Sequence, residues 1–182
     1  WRCRHDGYSL VPRPVFGNGL VFLCTGYDSP TLLAVRAGGR GDVTDTHVAW
    51  TLKRGAPHNP SPLLVGDALY IVSDGGVASS IEAATGKQRW QARLGGSFSA
   101  SPVFVDGRIY FLDEDGVTTV VAPGPELKKL AVNALPGRTL ASMAVSGKAL
   151  FVRTDTHLWR IDERLNQNFL VLRVRRTSNG HS

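Results

Sequence analysis

A spacing of 40 residues runs through this chain and constrains its fold more than any single motif. Ser61-Pro62-Leu63-Leu64-Val65-Gly66-Asp67-Ala68-Leu69-Tyr70-Ile71 lies without gaps on Ser101-Pro102-Val103-Phe104-Val105-Asp106-Gly107-Arg108-Ile109-Tyr110-Phe111. The same offset of 40 carries Trp50 to Trp90, Trp90 to Leu130 and Leu130 to Leu170, and also Pro102 to Ser142 and Tyr110 to Leu150. An earlier copy starts at Pro14, and its offset to the next is 48 because 36–45 makes a longer excursion before Trp50. Asn18-Gly19, Gly66-Asp67, Asp106-Gly107 and Ser146-Gly147 hold one place in the four copies. A fixed period of this size means that one small structural unit is stacked repeatedly.

Each unit reads as four strands joined by three turns. In the second copy, 63–65 is a short apolar run, Gly66-Asp67 supplies the positive φ of a tight hairpin, and 69–72 is the next strand. Asp74-Gly75-Gly76 turns the chain into 77–81, and Ala84-Thr85-Gly86-Lys87 turns it into 88–92, which carries Trp90. A lone four-stranded sheet of this length cannot bury both faces, so successive units must stack face to face around an axis. The expected fold is all-β: a β-propeller of about four consecutive four-stranded antiparallel blades. The runs Leu69-Tyr70-Ile71-Val72 and Ile109-Tyr110-Phe111-Leu112 are apolar throughout, as strands covered on both faces require. Trp50 and Trp90 are expected to wedge between blades, with Leu130 and Leu170 in their place further on. The boundaries expected are 13–52, 61–92, 101–132 and 142–172 for blades 1 to 4, with a lead-in at 1–12 and a basic tail at 173–182.

The signature residues Pro62, Tyr70, Gly86 and Trp90, with Trp50, Pro102 and Tyr110 in the neighbouring copies, resemble the PQQ-like β-propeller repeat. The likeness is clearest over 61–90 and extends over about 13–172. It implies a closed ring of seven or eight blades, so that about four blades are expected to be part of a ring completed by further blades of the same protein or by a second copy. Trp1 stands 49 residues before Trp50, and 1–10 therefore resemble the outer strand of a preceding blade. Some members of the family are quinoprotein dehydrogenases with an adjacent cysteine pair and a calcium site. Cys3 and Cys24 are not adjacent and no such calcium set can be assigned, so the resemblance implies neither PQQ nor any other cofactor or metal here. The non-enzymatic members include a periplasmic lipoprotein that helps to assemble outer-membrane proteins and sensor domains of bacterial kinases. They imply a periplasmic, cell-envelope or extracellular setting and a protein or peptide partner.

Other chemistries leave no pattern. No run of apolar residues is long enough to span a membrane as a helix. The net charge of +6 is carried by scattered basic residues, and Arg173, Arg175 and Arg176 read as a solvated edge or tail, so no nucleic-acid partner is expected. His5, His47, His58, His157 and His181 show no metal-ligand spacing. Asp113-Glu114-Asp115-Gly116 lacks the spacing of a calcium loop and reads as an acidic turn. Gly38-Gly39-Arg40-Gly41-Asp42 lacks the Lys-Ser/Thr of a phosphate cradle and reads as a flexible loop. The pairing state of the two cysteines is left open.

Function on a propeller usually sits on the connecting loops. Loops 53–60 and 93–100, with turns 74–76, 113–116 and 153–156, fall on one face. The candidate interaction face is His58, Asn59, Ser97, Phe98, Asp113, Asp115 and Arg153, with no catalytic residue assigned. The reading is a non-catalytic interaction scaffold or sensor module. The alternative is a fragment of a PQQ-dependent dehydrogenase, or of another propeller enzyme, whose active-site residues lie outside this chain.

Overall fold

The structure, a computed structural model, describes residues 1–162 and the backbone of Leu170–Arg173; the expected basic tail, with Arg175 and Arg176, and His181 lie outside the described residues. Four four-stranded antiparallel sheets follow one another in chain order. Blade 1 is β1 (Val15–Gly17), β2 (Leu20–Thr25), β3 (Thr31–Arg36) and β4 (Val48–Leu52), with a single helical turn α1 (Thr44–His47) in the long excursion. Blade 2 is β5 (Leu63–Val65), β6 (Ala68–Val72), β7 (Val77–Glu82) and β8 (Gln88–Arg93). Blade 3 is β9 (Val103–Val105), β10 (Arg108–Leu112), β11 (Val117–Ala122) and β12 (Lys128–Ala134). Blade 4 is β13 (Ala144–Ser146), β14 (Ala149–Arg153), β15 (His157–Asp162) and β16 (Leu170–Arg173). Inner strands β1, β5 and β9 are spatial neighbours in turn. The molecule is a run of propeller blades around a common centre. Among the described residues no helix is long and apolar enough to cross a membrane.

The hairpins between the first two strands of each blade are two-residue loops whose first residue, Asn18, Gly66, Asp106 or Gly147, has left-handed backbone, as the twist of antiparallel strands favours. Asn18 and Gly19 have φ of 54° and 74°, and Asp106 and Gly107 have 47° and 70°. In blade 4 the structure corrects the alignment by one residue. β13 ends at Ser146 and pairs with Ala149, so the loop is Gly147-Lys148, and Phe151 rather than Leu150 occupies the place of Tyr110. A slip of one residue moves every side chain to the other face, which is why an offset of 41 rather than 40 matters here.

The outer strands carry a second correction. Trp50 pairs with Ala34 while Val48 pairs with Val35, leaving Ala49 as a bulge; Trp90 pairs with Ser80 while Gln88 pairs with Ile81, leaving Arg89. In blade 3, Ala131 pairs with Val120 and Lys129 with Val121. The bulge residue is therefore Leu130, which is 43% exposed, and the tryptophan position belongs to Ala131. In blade 4, Leu170 pairs with Arg160, the place that Trp50 and Trp90 hold in blades 1 and 2.

Alternation along the second strands splits the core between interfaces. Leu69 and Ile71 face blade 1, where they meet Leu20, Phe22, Leu32 and Ala34. Ala68, Tyr70 and Val72 face blade 3, where they meet Ile109, Phe111 and Val121. That is the physical reason for the unbroken apolar runs: each fully buried aliphatic or aromatic side chain contributes about 1.5–3 kcal/mol, and both faces collect it. The third interface is smaller, built on Ala100, Leu112, Met143 and Val152.

Residues of the repeat signature latch one blade to the next. The Trp50 indole N–H donates to the Ala83 carbonyl at 2.9 Å, and that of Trp90 to the Gly124 carbonyl at 3.3 Å, each in the last turn of the following blade. Gly86 is required there, because a Cβ on it would stand 2.7 Å from the Trp50 ring. The Tyr70 hydroxyl accepts from the Gly124 amide at 2.9 Å. A ladder of hydroxyls crosses all three interfaces: Arg13 N donates to Ser61 Oγ, Ser61 N to Ser101 Oγ and Ser101 N to Ser142 Oγ, each at 2.9 Å. Pro62 and Pro102 are buried beside it and Tyr110 is half-buried.

The lead-in 1–12 forms no strand of its own. Arg2 makes one parallel bridge to Asp42 in the excursion, and Asp42 holds Arg4 and Thr44 through its carboxylate, so the Arg40-Gly41-Asp42 run is engaged internally. Cys3 is half-buried and Cys24 buried, and both are free thiols.

Candidate interaction face

The loops that leave each outer strand and the second turn of each following blade meet on one face, and carboxylates hold them together. Asp74 accepts from the His58 amide at 2.7 Å and from the Asn59 amide and side chain at 3.2 and 2.6 Å. Its own carbonyl takes the Phe98 amide of the next loop. Glu114, one repeat later, accepts from Ser99 Oγ at 2.6 Å and from Arg138 Nη2 at 2.8 Å, while its amide donates to Ser97 and its carbonyl accepts from Thr139. Asp155 accepts from the Arg138 amide and donates its own amide to the Arg138 carbonyl. The guanidinium of Arg138 and the Ser99 hydroxyl hold the Glu114 carboxyl below its ordinary range. The loops at 93–100 and 135–141 are thus pinned to the turns on either side of them and the loop at 53–60 to the turn that follows it, and the face is a set of held backbones presenting variable side chains.

The structure divides the seven candidate residues. Asn59, Ser97, Asp115 and Arg153 are exposed and His58 is half-buried. Phe98, 2% exposed, belongs to the core between blades 2 and 3, so it packs rather than presents. Asp113, 8% exposed, is also not a surface residue: its Oδ1 accepts from the Asp115 and Val117 amides and closes the turn. Hydroxyls do the same work in the other blades, Thr25 for Thr31, Ser73 for Val77 and Thr154 for His157. Burial against Gly96 lifts the Asp113 carboxyl above its ordinary range, opposed by the two amides it accepts. Side-chain class does not reveal burial in a glycine-flanked loop, and Gly95-Gly96-Ser97-Phe98 reads as exposed until the next blade is set against it.

Several residues of the face are absent from the sequence reading. Asp74, Glu114 and Asp155 place an acid at one position in three successive units, a signal that the offset of 40 carries from Asp74 to Glu114 and that only the offset of 41 carries on to Asp155. Tyr27, 58% exposed, stands edge-on to His58 at 6.0 Å and beside Tyr8 at 6.1 Å, an aromatic ledge at the blade 1 end. No repeat position marks it, because the turn after β2 departs from the other three. A cleft of about 480 Å³ opens beside the ledge, lined by Arg4, His5, Tyr8, Asp28 and Lys53 among others. At the other end Arg138, Leu140 and Arg153 edge a hollow of about 290 Å³. Among the described residues no three His, Cys, Asp or Glu side chains are grouped so as to hold a metal ion.

Stacked four-stranded sheets latched by their own repeat residues define a β-propeller of repeat type. Residues 39–124 match the family model described as outer membrane protein assembly factor BamB. Over that segment, a little under half of the chain, the sequence is similar to the PQQ-like β-propeller repeat family. The crystal structure of BamB from Moraxella catarrhalis superposes with a TM-score of 0.59 at 15% identity, covering 79% of this chain and 40% of that one. A europium-containing methanol dehydrogenase aligns at a TM-score of 0.49 and 11% identity, over 69% of this chain and 24% of that one. The likeness to BamB speaks for the fold alone, and the chain spans 40% of that structure's length. No curated protein matches the sequence.

Proposed function

We propose that this chain is a non-catalytic propeller module that holds a protein or peptide partner on its loop face, in the periplasm or cell envelope, within a ring completed by further blades. The observation that carries the reading is the pinning of each loop to the neighbouring turns. His58 and Asn59 are held by Asp74, and Arg138 by Glu114 and Asp155, so binding there costs little ordering of backbone. Exposed Tyr27 and Arg153 are residue types that dominate binding energy at such surfaces. The name of the matching family, an assembly factor for outer membrane proteins, supports a protein partner. No cofactor is proposed.

Crosslinking in envelope extract, followed by identification of the crosslinked protein, tests this. Tyr27→Ala and Arg153→Ala should each weaken capture of that protein at least about tenfold, the loss of one interfacial anchor. Asp67→Ala, on the hairpin at the opposite end of blade 2, should leave it unchanged. Equal capture by all three variants would remove the loop face from the reading. A chromophore retained after addition of PQQ and calcium would replace it with the quinoprotein alternative.

A further inference from the structure

Among the described residues, four other than glycine have left-handed backbone: Ser9, Asn18, Asp28 and Asp106. Asn18 and Asp106 open two-residue hairpins, where the twist of the strands accounts for them. Ser9 and Asp28, with φ of 54° and 70°, lie outside those hairpins, and each follows a tyrosine, Tyr8 and Tyr27. Such backbone persists only where its surroundings impose it, and it collects at binding sites. Here the turn after β2 closes on the lead-in. Tyr27 N donates to the Tyr8 carbonyl at 2.7 Å, and Gly26 lies so near that carbonyl that any Cβ on it would overlap the oxygen. At the place of Gly26 the next two units carry Asp74 and Glu114, so blade 1 exchanges a loop-pinning acid for a pair of aromatic rings.

Both rings are oriented before anything binds, although each residue is 58% exposed. The Tyr8 hydroxyl donates to Asp28 Oδ2 at 3.2 Å, and His58 stands edge-on to the Tyr27 ring at 6.0 Å. The cleft of about 480 Å³ beside them is lined by the lead-in at 4–8, by the turn at 27–29 and by residues of β3 and β4, and its size is that of a small-molecule site. Arg4 and Lys53 stand against Asp6 and Asp28 in its lining, and its aliphatic side chains are Leu33 and Val48. Thr51 and Lys53 are exposed and make no side-chain bond to any described residue, and the bond from Tyr8 leaves Asp28 Oδ1 unused. A sugar ring has an apolar C–H face and a rim of hydroxyls that both give and accept hydrogen bonds. An exposed tyrosine face meets the first, and the Asp28 acceptor with the Thr51 and Lys53 donors meets the second. A flat aromatic ligand calls for a slot between parallel rings, whereas these two are tilted by 52° with centroids 6.1 Å apart. A highly charged ligand would find no excess of opposite charge in the lining.

We propose that this cleft is a saccharide-binding site, in which a ring of a neutral glycan stacks on Tyr8 and hydrogen-bonds to Asp28, Thr51 and Lys53. The site goes beyond the proposed function and does not depend on capture of a protein partner. Tyr27 is common to both, so the variants that test the cleft are placed at Tyr8 and Lys53.

Titration of the chain with maltohexaose, cellohexaose and chitohexaose, followed by amide chemical shifts and by calorimetry, tests it. At least one of the three should shift the resonances of 4–8, 27–31 and 51–53 saturably and leave those of β6 and β10 in place. Tyr8→Ala should weaken that glycan at least about tenfold, whereas Tyr8→Phe, which keeps the ring face, should bind within about threefold of the unaltered chain. Lys53→Met, at an exposed position, keeps the test decisive should Tyr8→Ala fail to fold, and should weaken binding about three- to tenfold through the lost hydrogen bond. Anionic hexagalacturonate should bind less well than the neutral glycan. The proposal is overturned if none of the three neutral glycans moves these resonances at millimolar concentration. It is equally overturned if folded Tyr8→Ala or Lys53→Met binds as the unaltered chain does, or if hexagalacturonate is preferred.

Discussion

Single side chains here show how far a residue type predicts its surroundings. Cys24, buried in β2, has its thiol pushed up to about 12 by burial and then by the charge of Asp74, whereas Cys3 sits half-buried on the lead-in. A thiolate-selective reagent at neutral pH should modify Cys3 and reach Cys24 only on unfolding; two equally fast thiols would contradict the burial of β2. Asp113 is a carboxylate doing what hydroxyls do in the other blades. Its pKa is raised in the fold, so its contribution is present below the ordinary aspartate range and is lost as pH rises through the folded value. Replacing it by serine, the residue at Ser73, keeps an acceptor for Val117 and removes the cost of the buried charge. Asp113→Ser should raise the melting temperature at pH 7, with the gain shrinking towards pH 4, measured by thermal melts across that range. The Ser80 hydroxyl is fully buried between blades 2 and 3 without a hydrogen-bond partner, where blade 3 has Val120. Ser80→Ala should stabilise by about 1 kcal/mol, read from urea midpoints.

At the level of the element, the signature residues are latches. The proline, tyrosine, glycine and tryptophan of the repeat were legible as a pattern, and the pairing of Trp50 with Ala83 and Gly86 explains why they travel together. Trp90→Ala removes a nearly buried indole and should cost about 3–5 kcal/mol, seen as a shift of the unfolding midpoint. Gly86→Ala places a methyl group against the Trp50 ring at a φ of 74°, and should cost at least about 1 kcal/mol by the same measurement. The exposed position of Leu130 could not be read from the offset. The connection from Val121 to Lys129 is one residue longer than that from Ile81 to Gln88, which moves the tryptophan position to Ala131 and leaves Leu130 in the bulge, and that register is a property of pairing with the neighbouring strand.

For the molecule as a whole, stability comes from interfaces rather than from blades, as in any array whose units are thinner than a core. The interface between blades 3 and 4 lacks a tryptophan latch, since Ala131 holds that position, and it buries fewer large side chains than the other two. Blade 4 should open first. Native-state amide exchange should give β14 and β15 lower opening energies than β6 and β10, and uniform protection would show that the array opens as one unit. The carboxyls of Glu114 and Asp67 are lowered by their arginine partners, so what they contribute is lost as pH falls through their folded values, opposite in sign to Asp113.

The period of 40, the hairpin glycines and the apolar runs determined the propeller without any coordinates, because period, turn conformation and burial on two faces are local properties of the chain. Which residues face outward did not follow. Phe98 and Asp113 went inward, Tyr27 and Leu130 outward, and the fourth unit moved by one residue. Each of those outcomes depends on register and on the neighbouring blade, and register is set by hydrogen bonds between segments that the linear order does not bring together.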